Sequence, residues 1–278
     1  MIRAFFVALA LLLAPAAASA RDLRVMTFNV RLPIASDGPN EWANRRDLFA
    51  ATVAKADPDI IGTQELFQRQ GDDVIRRLPR YAWFGRDRRG GHGDEHMGIF
   101  YRMDRLRLLA SGDFWLSDTP DTVASITWGN ILPRMVTWGR FRDRAGRRFV
   151  LLNTHFPYRD QDEPAREKAA RLIAARLPAI AGRDPVVLTG DFNTVPDSRA
   201  HATLAATLSD VWTTAPHRTG PAETFHNFTG KPDRRIDWIF VRGFTVRSAT
   251  TLTDHTGDRY PSDHFPVVAD LGWPATRK

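Results

Sequence analysis

Short apolar runs that stop at a polar residue alternate, twice over, with long stretches of helical period, and this pattern limits the architectures open to the chain. In the first half, LRVMTFNV (23–30) reads as a strand, NEWANRRDLFAATVAKAD (40–57) as an amphipathic helix and PDIIGTQE (58–65) as a second strand. In the second half, RRFVLLNTHF, EPAREKAARLIAARLPAIAG (163–182) and DPVVLTGDFN repeat the unit, with Pro164 near the start of the helix and Gly182 at its end. HMGIFYR, LRLLASGDFWL, MVTWGRFRD, RRIDWIFVRG, FTVRSATTL and FPVVADLGW add further strands, several joined by turns such as DRAGR. The echo predicts two similar α/β layers packed together. Each layer presents polar residues at its strand ends: Asn29 and Glu65 in one, His155 and Asp191 in the other.

Composition narrows the setting. The chain opens with a positive Arg3, an apolar run from Phe5 to Leu13 and Ala18-Ser19-Ala20, the anatomy of a cleavable secretory leader over residues 1–20. The apolar run is too short to span a membrane, and no later segment is long and apolar enough. Residues 21–278 show no linker or low-complexity break, so one exported domain is expected, as a monomer in the periplasm or outside the cell. There are no cysteines, which excludes a disulfide framework and any thiolate metal site. Net charge is +7, but only four of the 39 basic residues are lysine and the arginines are scattered, so charge alone does not indicate a nucleic-acid partner.

The polar strand ends carry the chemistry. Asn29 follows VMTF, Glu65 follows IIGTQ, His155 follows VLLNT and Asp191-Phe192-Asn193 follows VVLTG. Asp237 lies in RRIDWIFV, and Asp263 and His264 lie in YPSDHFPVV. In α/β folds, ligands gather beyond the carboxyl ends of strands. Carboxylates packed in one pocket repel, and a divalent cation is the simplest way to hold them together. Oxygen donors without sulfur select a hard ion, Mg²⁺, with Mn²⁺ or Ca²⁺ as alternatives. Such a set suits attack on a phosphate ester, with a His–Asp pair to activate water and a second acid for the leaving alcohol. Of the eight histidines, His92, His201, His217 and His255 are expected at the surface or in loops.

With MTFNVR, PDIIGTQE, IFYR, LLNTHF, GDFNTVPDS, RIDWIF and SDHFPVVA in this order from about residue 24 to 270, the sequence resembles the endonuclease/exonuclease/phosphatase superfamily. That group includes deoxyribonucleases, apurinic endonucleases, sphingomyelinases, inositol-phosphate 5-phosphatases and deadenylases, and the likeness is strongest to an exported bacterial branch. The resemblance implies a four-layered α/β sandwich, two mixed β-sheets face to face with helices outside. It implies that Glu65 binds the metal, with Asn29 and Asp263 nearby. Asp191 and Asn193 would position water and phosphate. His264, paired with Asp237, would contact the phosphate and assist proton transfer. His155 would stabilise the transition state or act as acid, oriented by Glu95, which stands seven residues before Arg102.

Substrate is less legible, because one fold hosts many chemistries. Arg134 is a candidate phosphate clamp, and Thr224, Phe225 and His226, just before Asp237, are candidate substrate contacts. Trp115, Trp128 and Trp138 could mark a membrane-facing hairpin but read more simply as core, and GRDRRGGHGDEH (85–96) reads as a solvated basic loop. The resulting order is a small or lipid-derived phosphodiester, then nucleic acid, then a phosphomonoester. A non-catalytic binding protein retaining the fold is the contrasting class.

Overall fold

The computed structural model describes residues 22–274, so the leader expected over residues 1–20 lies outside the described residues. The first half contains β1 (Leu23–Asn29), α1 (Trp42–Ala56), β2 (Ile60–Gln64), α2 (Gln68–Arg77), β3 (Tyr81–Phe84), β4 (Ile99–Arg102) and β5 (Leu106–Trp115). There follow β6 (Met135–Asp143), β7 (Arg148–His155), α3 (Glu163–Ala181), β8 (Val186–Asp191), α4 (Arg199–Ala205), β9 (Ser209–Asp210) and α5 (Val211–Thr214). The last strands are β10 (His217–Thr219), β11 (Asp237–Arg242), β12 (Thr245–Thr251) and β13 (Val267–Gly272).

Seven strands form one mixed sheet in the order β10-β12-β13-β1-β2-β4-β3, and six form a second in the order β5-β6-β7-β8-β11-β9. The echo seen in the sequence is now spatial. β1 pairs parallel with β2 across α1, and β7 pairs parallel with β8 across α3. A parallel pair needs such a crossover. Val25, Ile60, Leu151 and Val187 meet between the sheets. Phe49 and Val53 of α1 pack with Phe28 and Ile61 on one outer face, and Ile173 and Leu177 of α3 pack with Leu152 and Leu188 on the other. The result is the four-layered sandwich.

Between the sheets, just below the strand ends, lies a buried polar network. Gln64 Nε2 donates to Asn153 Oδ1 at 2.7 Å, and Asn153 Nδ2 donates to the Thr63 carbonyl at 2.7 Å. Thr189 Oγ1 joins it at 3.1 Å from Asn153 Oδ1. Gly62 makes room: a Cβ there would lie 2.0 Å from Thr189 Oγ1. These bonds tie β2 to β7 and β8 in one register beneath the site.

The short helices α2, α4 and α5 and the strands β3, β9 and β10 were not evident in the sequence. Too few residues repeat in each to establish a period. The strand expected over HMGIFYR is confined to Ile99–Arg102. His201 corrects a second expectation: it lies on α4, packs edge-on against Trp238 and bonds Asp210 at 2.8 Å.

Candidate active site

β1 and β8 end in the same turn. Asn29 Oδ1 accepts from the Arg31 N–H and Asp191 Oδ1 accepts from the Asn193 N–H, each at 2.9 Å. Arg31 and Asn193 are then held at φ 56° and 50°, and Glu65, just beyond β2, at 58°. Left-handed backbone costs a non-glycine residue about 1–2 kcal/mol. Side-chain capping of this kind compensates part of that cost. It turns the chain sharply at the sheet edge, and Arg31, Glu65 and Asn193 all line the cleft beyond the strand ends.

That cleft has a volume of about 420 Å³. Asn29 Nδ2 bridges the two halves, donating to Glu65 Oε1 at 3.1 Å and to Asp191 Oδ2 at 3.0 Å. Ligand atoms of Glu65, His155 and Asp191 all lie within 4.8 Å of one another, as do those of Asp191, Asp237 and His264. Oxygen donors from half-buried Glu65 and buried Asp191, with buried Asn29 between them, fit a hard divalent cation such as Mg²⁺, Mn²⁺ or Ca²⁺. His264 Nδ1 is 2.8 Å from Asp237 Oδ2, and its Nε2 is 3.8 Å from Asp191. His155 lies between two carboxylates, 3.5 Å from Asp191 and 3.6 Å from Glu95.

Burial and neighbours drive the two imidazoles in opposite directions. For His264, burial alone lowers the pKa, but the Asp237 carboxylate, reinforced by Asp191 and Asp263, outweighs it and raises the ring to about 10. His155 is pushed down to about 3, first by burial and then by the Arg134 charge. At neutral pH His264 is therefore a cation and His155 is neutral. Burial, and then the neighbouring Asp237, raise the pKa of Asp191.

The structure brings Asn29, Glu65, Glu95, Arg134, His155, Asp191, Asn193, Asp237, Phe225, Asp263 and His264 to one place. Two expected substrate contacts are not among them. Thr224 is buried behind the site and donates through Oγ1 to Asp237 Oδ2 at 2.6 Å. His226 is stacked on Phe265 and accepts from the Gly230 N–H, away from the cleft. Glu95 stands beside His155, but 3.6 Å exceeds a hydrogen bond, and its nearer partner is Arg88 at 2.9 Å. Asp263 lies apart from the Glu65 triad and faces Arg31 at 3.7 Å. The loop 85–96 is solvated only in part: Arg86, Arg89 and His92 are exposed, whereas Asp87, Arg88, Glu95 and His96 are buried, and Arg88 and Glu95 line the cleft. Sequence reasoning missed Arg31, Arg88 and Tyr158 as lining residues. Arg31 ends the MTFNVR motif and was the one with a signal to follow. Trp115 is buried, while Trp128 and Trp138 pack against the core.

Two mixed sheets that meet over one set of carboxylates and imidazoles define a metal-assisted hydrolase of phosphate esters. The chain belongs to the endonuclease/exonuclease/phosphatase family, whose model matches residues 26–264. It is similar to a family member of solved structure from Bacteroides thetaiotaomicron, with 35% identity, TM-score 0.86 and coverage of 91% of this chain and 98% of that one. A mannosyl-6-phosphatase from the same organism matches with 34% identity and TM-score 0.85, over 90% of this chain and 100% of that one. An uncharacterised protein of Acanthamoeba polyphaga mimivirus, L388, is 29% identical over 82% of this chain and 91% of its own length.

Proposed function

We propose that the chain hydrolyses a phosphomonoester carried by a small polar molecule, with a phosphorylated sugar as the best fit. This departs from the order suggested by sequence, and the observation that carries it is Arg134. Its side chain is buried at the cleft, 4% exposed, and Nη1 has no hydrogen-bond partner. A buried guanidinium with an N–H left unpaired is costly and favours a ligand of high negative charge. A monoester phosphate carries nearly two charges at neutral pH, whereas a diester carries about one. The cleft volume of about 420 Å³ suits a small ligand better than a duplex. Similarity to a mannosyl-6-phosphatase supports the same reading.

In this mechanism Arg134 and the His264 imidazolium bind the phosphate oxygens. Asp237, held in turn by Thr224, fixes the His264 ring and sustains its charge. Asp191, between the His155 and His264 rings, accepts the proton of the attacking water. Asn193 gives its amide N–H to the Phe156 carbonyl at 3.1 Å, which leaves Oδ1 to orient that water. Neutral His155 offers a ring N–H to the phosphate, and His264 Nε2 supplies a proton to the departing alcohol. A divalent cation held by Glu65 and Asp191 would, when bound, neutralise charge on the phosphate oxygens.

The test is turnover of mannose 6-phosphate, p-nitrophenyl phosphate, bis-p-nitrophenyl phosphate and plasmid DNA, each with Mg²⁺ and with EDTA. The expected result is EDTA-sensitive turnover fastest on the sugar phosphate. Faster cleavage of the diester or nicking of the plasmid overturns the monoester reading. No turnover on any substrate favours a binding protein.

A further inference from the structure

A second group of arginines lies at the end of the six-stranded sheet remote from the catalytic cleft. In the antiparallel register, Arg107 of β5 stands opposite Arg142 of β6, and Arg142 stands opposite Arg148 of β7. Residues directly opposite one another share a face of the sheet, so three guanidinium side chains form a row across three strands. Like charges so placed are destabilising. Arg148 is offset by Asp184 at 3.4 Å. Arg107 and Arg142 are exposed, and among the described residues neither side chain has a hydrogen bond or ion pair.

The row borders a cleft of about 380 Å³ between the turn after β4 and the β6–β7 hairpin, where Arg105, Arg107, Arg142 and Arg144 share the lining with one acid, Asp143. The acids within reach are already engaged. Asp143 pairs with Arg147 at 2.7 Å, Asp104 with Arg102 at 2.7 Å, and Asp59 with Arg105 of the cleft wall at 3.5 Å, which leaves Arg107 and Arg142 as the cations open to an anion. The eight residues of β7 from Arg148 to His155 separate this cleft from the catalytic one, about 23 Å at ~3.3 Å per residue. A substrate phosphate in the catalytic cleft does not reach it.

The geometry points to a second binding site here, for a multiply charged phosphoryl or sulfuryl oxyanion. The guanidinium fork matches tetrahedral oxyanions through paired N–H donors. An anion seated between Arg107 and Arg142 converts a repulsive cross-strand pair into a bridged one. The concave shape selects a compact ligand, and pyrophosphate is the probe of matching charge.

Pyrophosphate titration of the full chain by calorimetry, in metal-free buffer, tests this. Binding is expected in the wild type and in Arg134→Gln, which alters only the catalytic cleft. Arg107→Gln with Arg142→Gln is expected to weaken it at least about tenfold while leaving hydrolysis of a phosphate ester unchanged. Without anion, the double variant should melt at the same or a higher temperature, because the like-charge pair is gone. If it fails to fold, Arg142→Gln alone serves the same comparison. Unchanged affinity in the variant, or no binding by the wild type, overturns the site. Binding to phosphatidylglycerol vesicles that persists in saturating pyrophosphate overturns it too, in favour of a membrane-facing surface.

Discussion

His264 is the residue on which the charge of the site turns. Its folded pKa of about 10 exceeds the ordinary 6.5, so the folded chain holds a proton that the unfolded chain releases between these values. The stabilisation is complete below about pH 6.5 and fades as pH rises through 10. His264→Gln should therefore flatten the fall in melting temperature between pH 7 and 10, and an unchanged slope would exclude the Asp237 pairing as its source. His155 acts with the opposite sign: its folded pKa of about 3 gives stability present above 6.5 and lost as pH falls. Thr224 belongs to the same relay. Thr224→Val keeps the shape and removes one hydrogen bond to Asp237, and should lower kcat by about tenfold. A positioning role predicts unchanged KM and a shifted pH–rate limb, whereas the substrate contact suggested by sequence predicts a raised KM.

The elements matter through the way they end and the way they meet. β1 and β8 close with the same side-chain-capped turn, which brings Arg31 and Asn193 into the cleft from the two sheets. Arg45, fully buried on α1, donates to the carbonyls of Val30, Arg31 and Pro261, so one helix ties the β1 turn to the segment that carries Asp263 and His264. Below them, Gly62 permits close approach of the sheets. Gly62→Ala forces a methyl against Thr189 and should cost about 1–3 kcal/mol by overpacking. Chemical denaturation measures it, and a loss under about 0.5 kcal/mol would show that the sheets can part without strain. Asn153→Leu, which leaves Gln64 Nε2 without its Asn153 partner, should cost a similar amount.

For the molecule as a whole, the two half-sites are complementary and neither is complete. One sheet supplies Asn29 and Glu65, the other His155, Asp191 and Asp237. A divalent cation held by Glu65 and Asp191 would, when bound, link the sheets and relieve carboxylate repulsion. Mg²⁺ should therefore raise the melting temperature in proportion to its occupancy, and EDTA should abolish turnover. Glu65→Gln should weaken Mg²⁺ binding and lower the rate by at least about 10²-fold, since metal charge stabilisation is worth several kcal/mol. Chelator-resistant turnover at the wild-type rate in this variant would remove the metal from the mechanism.

Residue order alone settles the two strand–helix–strand units, because apolar period and chain breakers are local properties. It also determined which polar residues stand at the strand ends, since a run of valines and leucines must stop where its side chains leave the core. Asn29, Glu65, His155 and Asp191 were legible for that reason. Tertiary structure alone decided which neighbours these residues acquire. Thr224 and His226 are adjacent in sequence to Phe225, yet only Phe225 lines the cleft, because the isolated bridges to Arg234 and His264 set which side chains face inward. The unlike charges of His155 and His264, the burial of Arg134 at the cleft and the cross-strand arginine row likewise depend on burial and on distances across strands. Both follow from how the sheets pair and pack, and a linear order of residues contains neither.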